Sequence, residues 1–423
     1  MGRFLIAILA LYFLSCKSTF NGSFVKKIRK SEVFNQNFSG FSLFDFTENK
    51  TVINFNEAQY FQPASNMKLL TFYAGLKALG DSIPAIKYIK RGDSLIFWGT
   101  GDPSLLHPDL PASNVLNFLK NRPEKLYFSN SNNFQSIYGS GWAWDDFNDD
   151  YQVEINSFPI YGNMVRFTMG VKKLSISPQK ATEFSSKKNN SKRIIRETNS
   201  NIFSLPNDSL NLNFKQDVPF KTSPTVTNEL LIDALKRQVF YINIPLQKDF
   251  KTIYSIKSDS LYKQMLHVSD NMIAEQIMLL VSKADTLNIS KSIDYITKTY
   301  LADLPDKPRW VDGSGLSRYN LITPRTIVKV LEKLYKEVPQ QRLFSLLATG
   351  GRTGNLRNSF QADVPFIFAK SGSYSYNYNL SGYLIGNSGK TYAFSFMNNN
   401  FLKPMAQIRK EVERILTELR DKL

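Results

Sequence analysis

A long stretch of one texture, set between two stretches of another, is what most limits how this chain can fold. From about Tyr88 to about Pro245, short strand-like runs such as DSLIFWG and KLYFSN alternate with turns rich in Gly, Asn, Asp and Pro. Such spacing of short strands and turns reads as a mostly-β unit. Upstream, FSLFDFTENKTVINFN (41–56) reads as two alternating strands joined by a polar turn. It is followed by PASNMKLLTFYAGLKALG (63–80), where Met67, Leu69, Leu70, Phe72, Tyr73, Leu76 and Leu79 recur at roughly helical spacing and Gly80 supplies a stop. After residue 255, helical patterns dominate: LYKQMLHV, NMIAEQIMLLVSK and TPRTIVKVLEKLYKEV. The chain closes with the strands NLSGYLIG and TYAFSFMN around a GNSGK turn, then the amphipathic helix PMAQIRKEVERILTELRDKL. These patterns predict an α/β (α+β) protein with one sheet drawn from both chain ends, helices on both its faces, and a large mostly-β insertion. The discontinuous domain is expected over 35–88 and 250–423 and the inserted domain or domains over 89–249, in keeping with a 423-residue chain. There is no internal repeat and no heptad seam.

Composition narrows the function. Hydrophobic residues make up 42% and aromatic residues 13%, enough for real cores and against global disorder. The net charge of +17 suits anionic polymers and surfaces in general. No zinc-finger spacing, RNP-like aromatic motif or glycine-rich phosphate loop accompanies it, so nucleic acid is not the expected partner. Much of the excess lies in 171–196, with eight Lys/Arg and one acid, which reads as a solvated polar loop or small subdomain. Two histidines, His107 and His267, are too few and too far apart for a metal site, and neither lies near a G-x-S-x-G turn. His267, on an apolar helical stretch, reads as structural. No metal and no cofactor is expected.

The amino terminus, MGRFLIAILALYFLSCKS, has Arg3 followed by an apolar run from Phe4 to Leu14, too short to span a bilayer and proportioned like a secretion signal. The chain's only cysteine, Cys16, follows at once. The pattern resembles a bacterial lipobox, which implies lipidation of Cys16, a signal over 1–16, a tether over 17–34, and an exported, periplasmic protein anchored to a bacterial membrane. Acyl chains hold firmly, since each buried CH₂ contributes about 0.8 kcal/mol. Outside the cytoplasm nucleotide cofactors are scarce, which favours a cofactor-free hydrolase.

Three short patterns carry the chemistry. Ser65 and Lys68, three residues apart at a helix start, share a face where backbone N–H groups are unpaired. Ser269 and Asn271 fall where one helix ends and the next begins. Lys370, Ser371 and Gly372 follow an apolar strand, and glycine there admits a close backbone approach. Each alone reads first as a helix cap or a solvated polar side chain. Together, in this order, they resemble the signature of penicillin-binding proteins and serine β-lactamases. The length between the first two motifs, and the segments GTGDPSL (99–105), GWAWDDF (141–147), VDGSGLSR (311–318) and GGRTGNLRN (350–358), resemble the class C low-molecular-mass penicillin-binding proteins, the D-Ala-D-Ala carboxypeptidase/endopeptidase (DacB-like) family. The resemblance runs from about residue 35 to about 400. It departs at Thr353 and Asn355, which replace an Asp and a Thr, and in 171–196, where a nested third domain is expected to be reduced.

The resemblance implies a β-lactamase/transpeptidase-like fold and a serine DD-peptidase acting on peptidoglycan stem peptides, acylated and inhibited by β-lactam antibiotics. In that family's terms Ser65 is the nucleophile and Lys68 its base, with a pKa lowered by partial burial and by the charge of Lys370, which itself stays protonated. Ser269 relays a proton to the leaving amine and Asn271 orients Lys68. The backbone N–H groups of Ser65 and Ser373 form the oxyanion hole, Lys370, Ser371 and Gly372 receive the terminal carboxylate, and Asp146 and Arg318 read a diaminopimelate side chain. The alternatives are a β-lactamase-like hydrolase or esterase on the same scaffold, and a catalytically idle wall-binding protein. The oligomeric state stays open.

Overall fold

The computed structural model describes residues 21–171, 173–282 and 286–423. The expected signal and Cys16 lie outside the described residues. The central sheet has six antiparallel strands in the order Ala348–Thr349, Ile367–Tyr374, Asn377–Ile385, Thr391–Asn399, Phe38–Asp45 and Lys50–Phe55. The two chain ends thus share one sheet, with Phe41 opposite Phe396 and Leu43 opposite Phe394. The period-two alternation of strands sends successive side chains to opposite faces. Along Thr391–Asn399, Tyr392, Phe394 and Phe396 join one core with Ile408, Val412, Ile415 and Leu419 of helix Met405–Arg420. Ala393 and Met397 join the other, beneath helices Lys68–Ala78, Asn271–Leu280 and Pro324–Glu337.

Helix Lys68–Ala78 is preceded by a 3-10 turn over Ala64–Met67, so Ser65 lies in that tighter turn rather than in the α-helix proper. The helix is buried along Lys68–Gly75, which explains why its sequence is apolar nearly all round. It ends at Ala78, with Leu79 already extended, just short of the glycine stop.

Two expectations need correction. Residues 21–30 are helical, and Phe24 and Ile28, one helical turn apart, are buried together with Phe34 against Phe41 and Phe396. The Phe24 and Phe41 rings lie 4.7 Å apart. Residues 21–34 are therefore part of the packed domain, not the tether expected over 17–34, because their apolar residues complete one face of the sheet. The insertion is also longer than 89–249. Its five-stranded sheet runs Val239–Tyr241, Lys125–Ser129, Ser94–Gly99, Ser82–Arg91, Lys251–Lys257. Ser82–Arg91 and Lys251–Lys257 pair antiparallel as its stem, so the sheet reaches from 82 to 257.

Two further three-stranded sheets complete the insertion. The basic segment 171–196 supplies strands Leu174–Ser177, Glu183–Phe184 and Ile195–Arg196 to them. It is a small subdomain in which Arg196 is buried. Its guanidinium donates to the carbonyls of Pro219 (2.8 Å), Glu197 (2.7 Å) and Ser200 (3.0 Å), a structural use of one of the eight cations. Among the described residues no helix is long and apolar enough to cross a membrane, and no group of three or more His, Cys, Asp or Glu could hold a metal ion.

Candidate active site

The turn Ala64–Met67 is held in an unusual shape. Ala64 has φ 48°, a left-handed conformation that costs a residue with a Cβ roughly 1 kcal/mol or more. The next residue but one, Asn66, is fully buried and donates from Nδ2 to Ser381 Oγ at 2.7 Å, and Ser381 Oγ donates to Ser395 Oγ at 2.9 Å. A buried polar spine thus ties the turn to the middle of the sheet. It leaves Ser65 partly exposed at the floor of a cleft of about 740 Å³.

Lys68, one turn on, is fully buried. Its Nζ donates to Ser65 Oγ (3.0 Å), Asn271 Oδ1 (2.5 Å) and the Ser314 carbonyl (2.7 Å). Burial lowers its pKa to about 8, against the opposing pull of the Glu275, Asp312 and Asp270 carboxylates. Ser269 occupies the corner between helices Ser258–His267 and Asn271–Leu280 with φ 67°, and Asp270 caps the second helix by accepting from Ile273 N at 2.9 Å. This left-handed corner aims Ser269 and Asn271 the same way. Asn271 Nδ2 donates to Tyr151 O (2.9 Å), joining the insertion to the corner.

Strand Ile367–Tyr374 forms the opposite wall. Lys370 is fully buried and its Nζ donates to Ser269 Oγ (3.0 Å) and to Ser371 O (2.5 Å). Burial, and then the Lys68 charge, hold it well below the usual lysine range. Burial thus lowers both lysines; at Lys68 the Glu275, Asp312 and Asp270 carboxylates oppose it, and at Lys370 the Lys68 charge adds to it.

At Gly372 an added Cβ would lie 2.6 Å from Pro63 O, 2.8 Å from Asn66 N and 2.9 Å from Ser65 N, so glycine is what lets the strand reach the turn. Ser371 and Ser373 line the cleft. So do Asp146 and Arg318, from the insertion and from the loop after Asp312. No ion pair joins them. Asp146 is raised from its usual range by burial, and Arg318 lies over the Tyr374 ring at 5.1 Å. The structure thus joins Ser65, Lys68 and Asn271 in one hydrogen-bonded set and Lys370 and Ser269 in another, and places Ser371, Ser373, Asp146 and Arg318 with Ser65, Ser269 and Asn271 around the same cavity.

The loop DGSGLS (312–317), read from the sequence only as a family-like segment, has a role in the site that the motifs did not declare. Its Ser314 carbonyl holds Lys68, and two buried carboxylates hold the loop. Glu275 accepts from Gly313 N (2.9 Å) and Ser314 N (2.7 Å). Asp312 accepts from Gly315 N (2.9 Å), Ser317 N (2.6 Å), Asn320 Nδ2 (2.7 Å) and Trp142 Nε1 (2.9 Å). Burial and the Asp312 charge raise Glu275 to about 8. A polar residue inside the apolar run NMIAEQIMLL was the available signal for Glu275; a backbone carbonyl such as that of Ser314 leaves no signal.

Comparison with known proteins agrees with this arrangement. The model of the D-Ala-D-Ala carboxypeptidase 3 (S13) family matches residues 23–213 and 238–419. The matched residues include 171–196, and the unmatched stretch between the two ranges holds helix Pro224–Leu235. D-alanyl-D-alanine carboxypeptidase DacB of Haemophilus influenzae is 23% identical over 417 residues, covering 85% of this chain and 85% of that protein. Penicillin-sensitive carboxypeptidase A of Dictyostelium discoideum is 23% identical over 408 residues, covering 79% and 76%. Among solved structures, penicillin-binding protein 4 (dacB) from Haemophilus influenzae has the same fold, with a TM-score of 0.75 at 19% identity over 94% of this chain and 98% of that one. With nearly the whole described chain inside the family's model and its fold, the chain belongs to the D-Ala-D-Ala carboxypeptidase 3 (S13) family.

Proposed function

We propose that Ser65 is the nucleophile of a serine-type D-Ala-D-Ala carboxypeptidase that acts on peptidoglycan stem peptides and is acylated by β-lactams. The observation that carries the assignment is the contact of a buried, pKa-lowered Lys68 with the Ser65 hydroxyl, 3.0 Å away. A neutral hydroxyl attacks an amide slowly, and a lysine that loses its proton near pH 8 can serve as its base. The substrate's terminal carboxylate docks beside Lys370, Ser371 and Ser373. That negative charge favours the charged form of Lys370, whose repulsion in turn favours the neutral form of Lys68. Ser65 Oγ then attacks the carbonyl carbon of the penultimate residue while Lys68 takes its proton. The oxyanion is met by the N–H groups of Ser65 and Ser373, each donor commonly contributing about 3–4 kcal/mol. The C–N bond breaks, Ser269 passes a proton to the departing D-alanine amine, and water hydrolyses the ester on Ser65.

Asp146 and Arg318, which line the cleft without a direct ion pair, are suited to the amino and carboxylate groups of a diaminopimelate side chain. The solved relative from Haemophilus influenzae has been obtained in complex with a β-lactam, which supports β-lactam binding here. The apolar run and Cys16 at the amino terminus support export and lipid anchoring, which metabolic labelling with a palmitate analogue tests against Cys16→Ala. The enzymatic reading is tested by mass spectrometry after penicillin treatment. The expected result is a penicilloyl adduct on Ser65 that is absent in Ser65→Ala, together with loss of D-alanine release from muropeptides. An equal lack of change in both proteins refutes the reading, and rapid release of the adduct replaces the peptidase with a β-lactamase.

A further inference from the structure

A lysine base must be aimed as well as deprotonated. A neutral amine has two N–H bonds and one lone pair, and only the lone pair can take the Ser65 proton. Lys68 Nζ has three partners: Ser65 Oγ (3.0 Å), Asn271 Oδ1 (2.5 Å) and the Ser314 carbonyl (2.7 Å). The last two are oxygens that can only accept. Once Lys68 is neutral they hold its two N–H bonds, and the lone pair is left facing the Ser65 hydroxyl. Without one of these acceptors the amine is free to turn an N–H toward Ser65 instead.

The two acceptors are held differently. Asn271 is placed by its own helix. The Ser314 carbonyl belongs to a loop, and Glu275 grips that loop. Glu275 stands one helical turn after Asn271, on the same face of helix Asn271–Leu280. It is 1% exposed, and both its oxygens accept from the loop backbone: Oε2 from Gly313 N (2.9 Å) and Oε1 from Ser314 N (2.7 Å). From the other side Thr71, one turn after Lys68, donates from Oγ1 to the Gly313 carbonyl at 2.6 Å. Space around the loop is equally tight. An added Cβ at Gly313 would lie 2.5 Å from Ala274 O and 2.8 Å from Met278 Cγ. At Gly315, with φ 83°, it would overlap Ala64 O, in the turn that carries Ser65. The loop backbone is thus a wedge between the helix of Asn271 and the helix of Lys68. Asp312 acts on the next stretch of it, accepting from Gly315 N and Ser317 N. A buried carboxylate is costly unless its oxygens are used, and those of Glu275 are used on the two N–H groups beside the Ser314 carbonyl.

We infer that Glu275 is a positioning residue for acylation: by fixing the Gly313–Ser314 backbone it holds the Ser314 carbonyl as the second acceptor of Lys68, and so turns the Lys68 lone pair toward Ser65. This role rests on the reading of Ser65 as nucleophile and Lys68 as base, and it adds a residue that lies in none of the three motifs. The Glu275 charge also favours the charged form of Lys68, an effect that drops out above pH 8, where the amine is mostly neutral.

The test uses the full chain with Glu275→Gln and Glu275→Asp. The Gln variant keeps the size but turns an NH₂ toward one of the two N–H groups, leaving a buried donor unpaired. The Asp variant keeps the charge but is one methylene too short to span both. Stopped-flow with a fluorescent penicillin, at increasing concentration and at about pH 9, separates the dissociation constant of the first, non-covalent complex from the rate constant of acylation. Mass spectrometry counts the penicilloyl adduct, so that only folded, reactive protein enters the rate. The expected result is an acylation rate constant about tenfold lower in Glu275→Gln and less affected in Glu275→Asp, because a displaced base loses part of its contribution. The dissociation constant should stay within about twofold, since Lys370, Ser371 and Ser373 lie on the opposite wall. An acylation rate constant within about twofold of wild type in both variants, or a loss that falls on the dissociation constant, overturns the inference. If the Gln variant does not fold, the Asp variant decides by the same criterion. Wild-type protein that forms no penicilloyl adduct refutes the reading of Ser65 itself.

Discussion

Gly372→Ala isolates the geometry on which the site depends. The new methyl would sit 2.6 Å from Pro63 O and 2.8–2.9 Å from the backbone nitrogens of Asn66 and Ser65, where ordinary contact begins at 3.4 Å. None of these atoms is the end of a flexible side chain, so strand and turn must separate by about 0.5–0.8 Å. The strand carries Lys370, Ser371 and Ser373; the turn carries Ser65. Misplacing reacting groups by about 1 Å costs on the order of 100-fold in rate. The expected loss in the second-order rate of acylation is therefore about 10- to 100-fold, or about 1.4–2.7 kcal/mol of barrier. Stopped-flow with a fluorescent penicillin measures it, and Tm read in parallel separates displacement from unfolding. Acylation within about threefold of wild type, at unchanged Tm, would refute the claim that close approach at Gly372 sets the catalytic geometry.

Other perturbations test other parts of the structure. Because Lys68 acts as a base only when neutral, and its pKa is lowered to about 8, acylation should climb about tenfold per pH unit below 8 and level off above; a flat profile from pH 6 to 9 would remove Lys68 from that role. Asp312→Ala leaves four buried donors without their acceptor and should cost more than about 3 kcal/mol in urea unfolding, with acylation falling as the Ser314 carbonyl is released. Phe24→Ala should destabilise the protein by about 3–5 kcal/mol if residues 21–34 complete the sheet's core, and by almost nothing if they only tether it.

What could be read in the sequence was what repeats locally or declares itself through side chains. The strand alternation around Phe394 and Phe396 and the helical spacing after Met67 are short-range signals, and both appear in the structure as the faces of the central sheet and its covering helix. Ser65, Lys68, Ser269, Asn271 and Lys370 were visible because their residue types and order are distinctive. The stem of the insertion was not, because the partner of Ser82–Arg91 is Lys251–Lys257, and pairing over that separation leaves no mark in either strand alone. The carboxylates that support the Lys68 charge were hidden for a related reason. The closeness of Glu275 and Asp312 to Lys68 exists only once helix Asn271–Leu280 and the DGSGLS loop are packed.

The place of strand Phe38–Asp45, flanked on one side by Thr391–Asn399, has a consequence for when this protein can first act. An emerging chain makes the early strand long before its neighbour. Closure of so long a loop is slow, and it must wait until Thr391–Asn399 has been made. Ser65 lies after the early strand, and Lys370 lies on Ile367–Tyr374, ahead of the late one. A chain that has not yet reached the late strand therefore carries its hydroxyl without the assembled wall that would let it react.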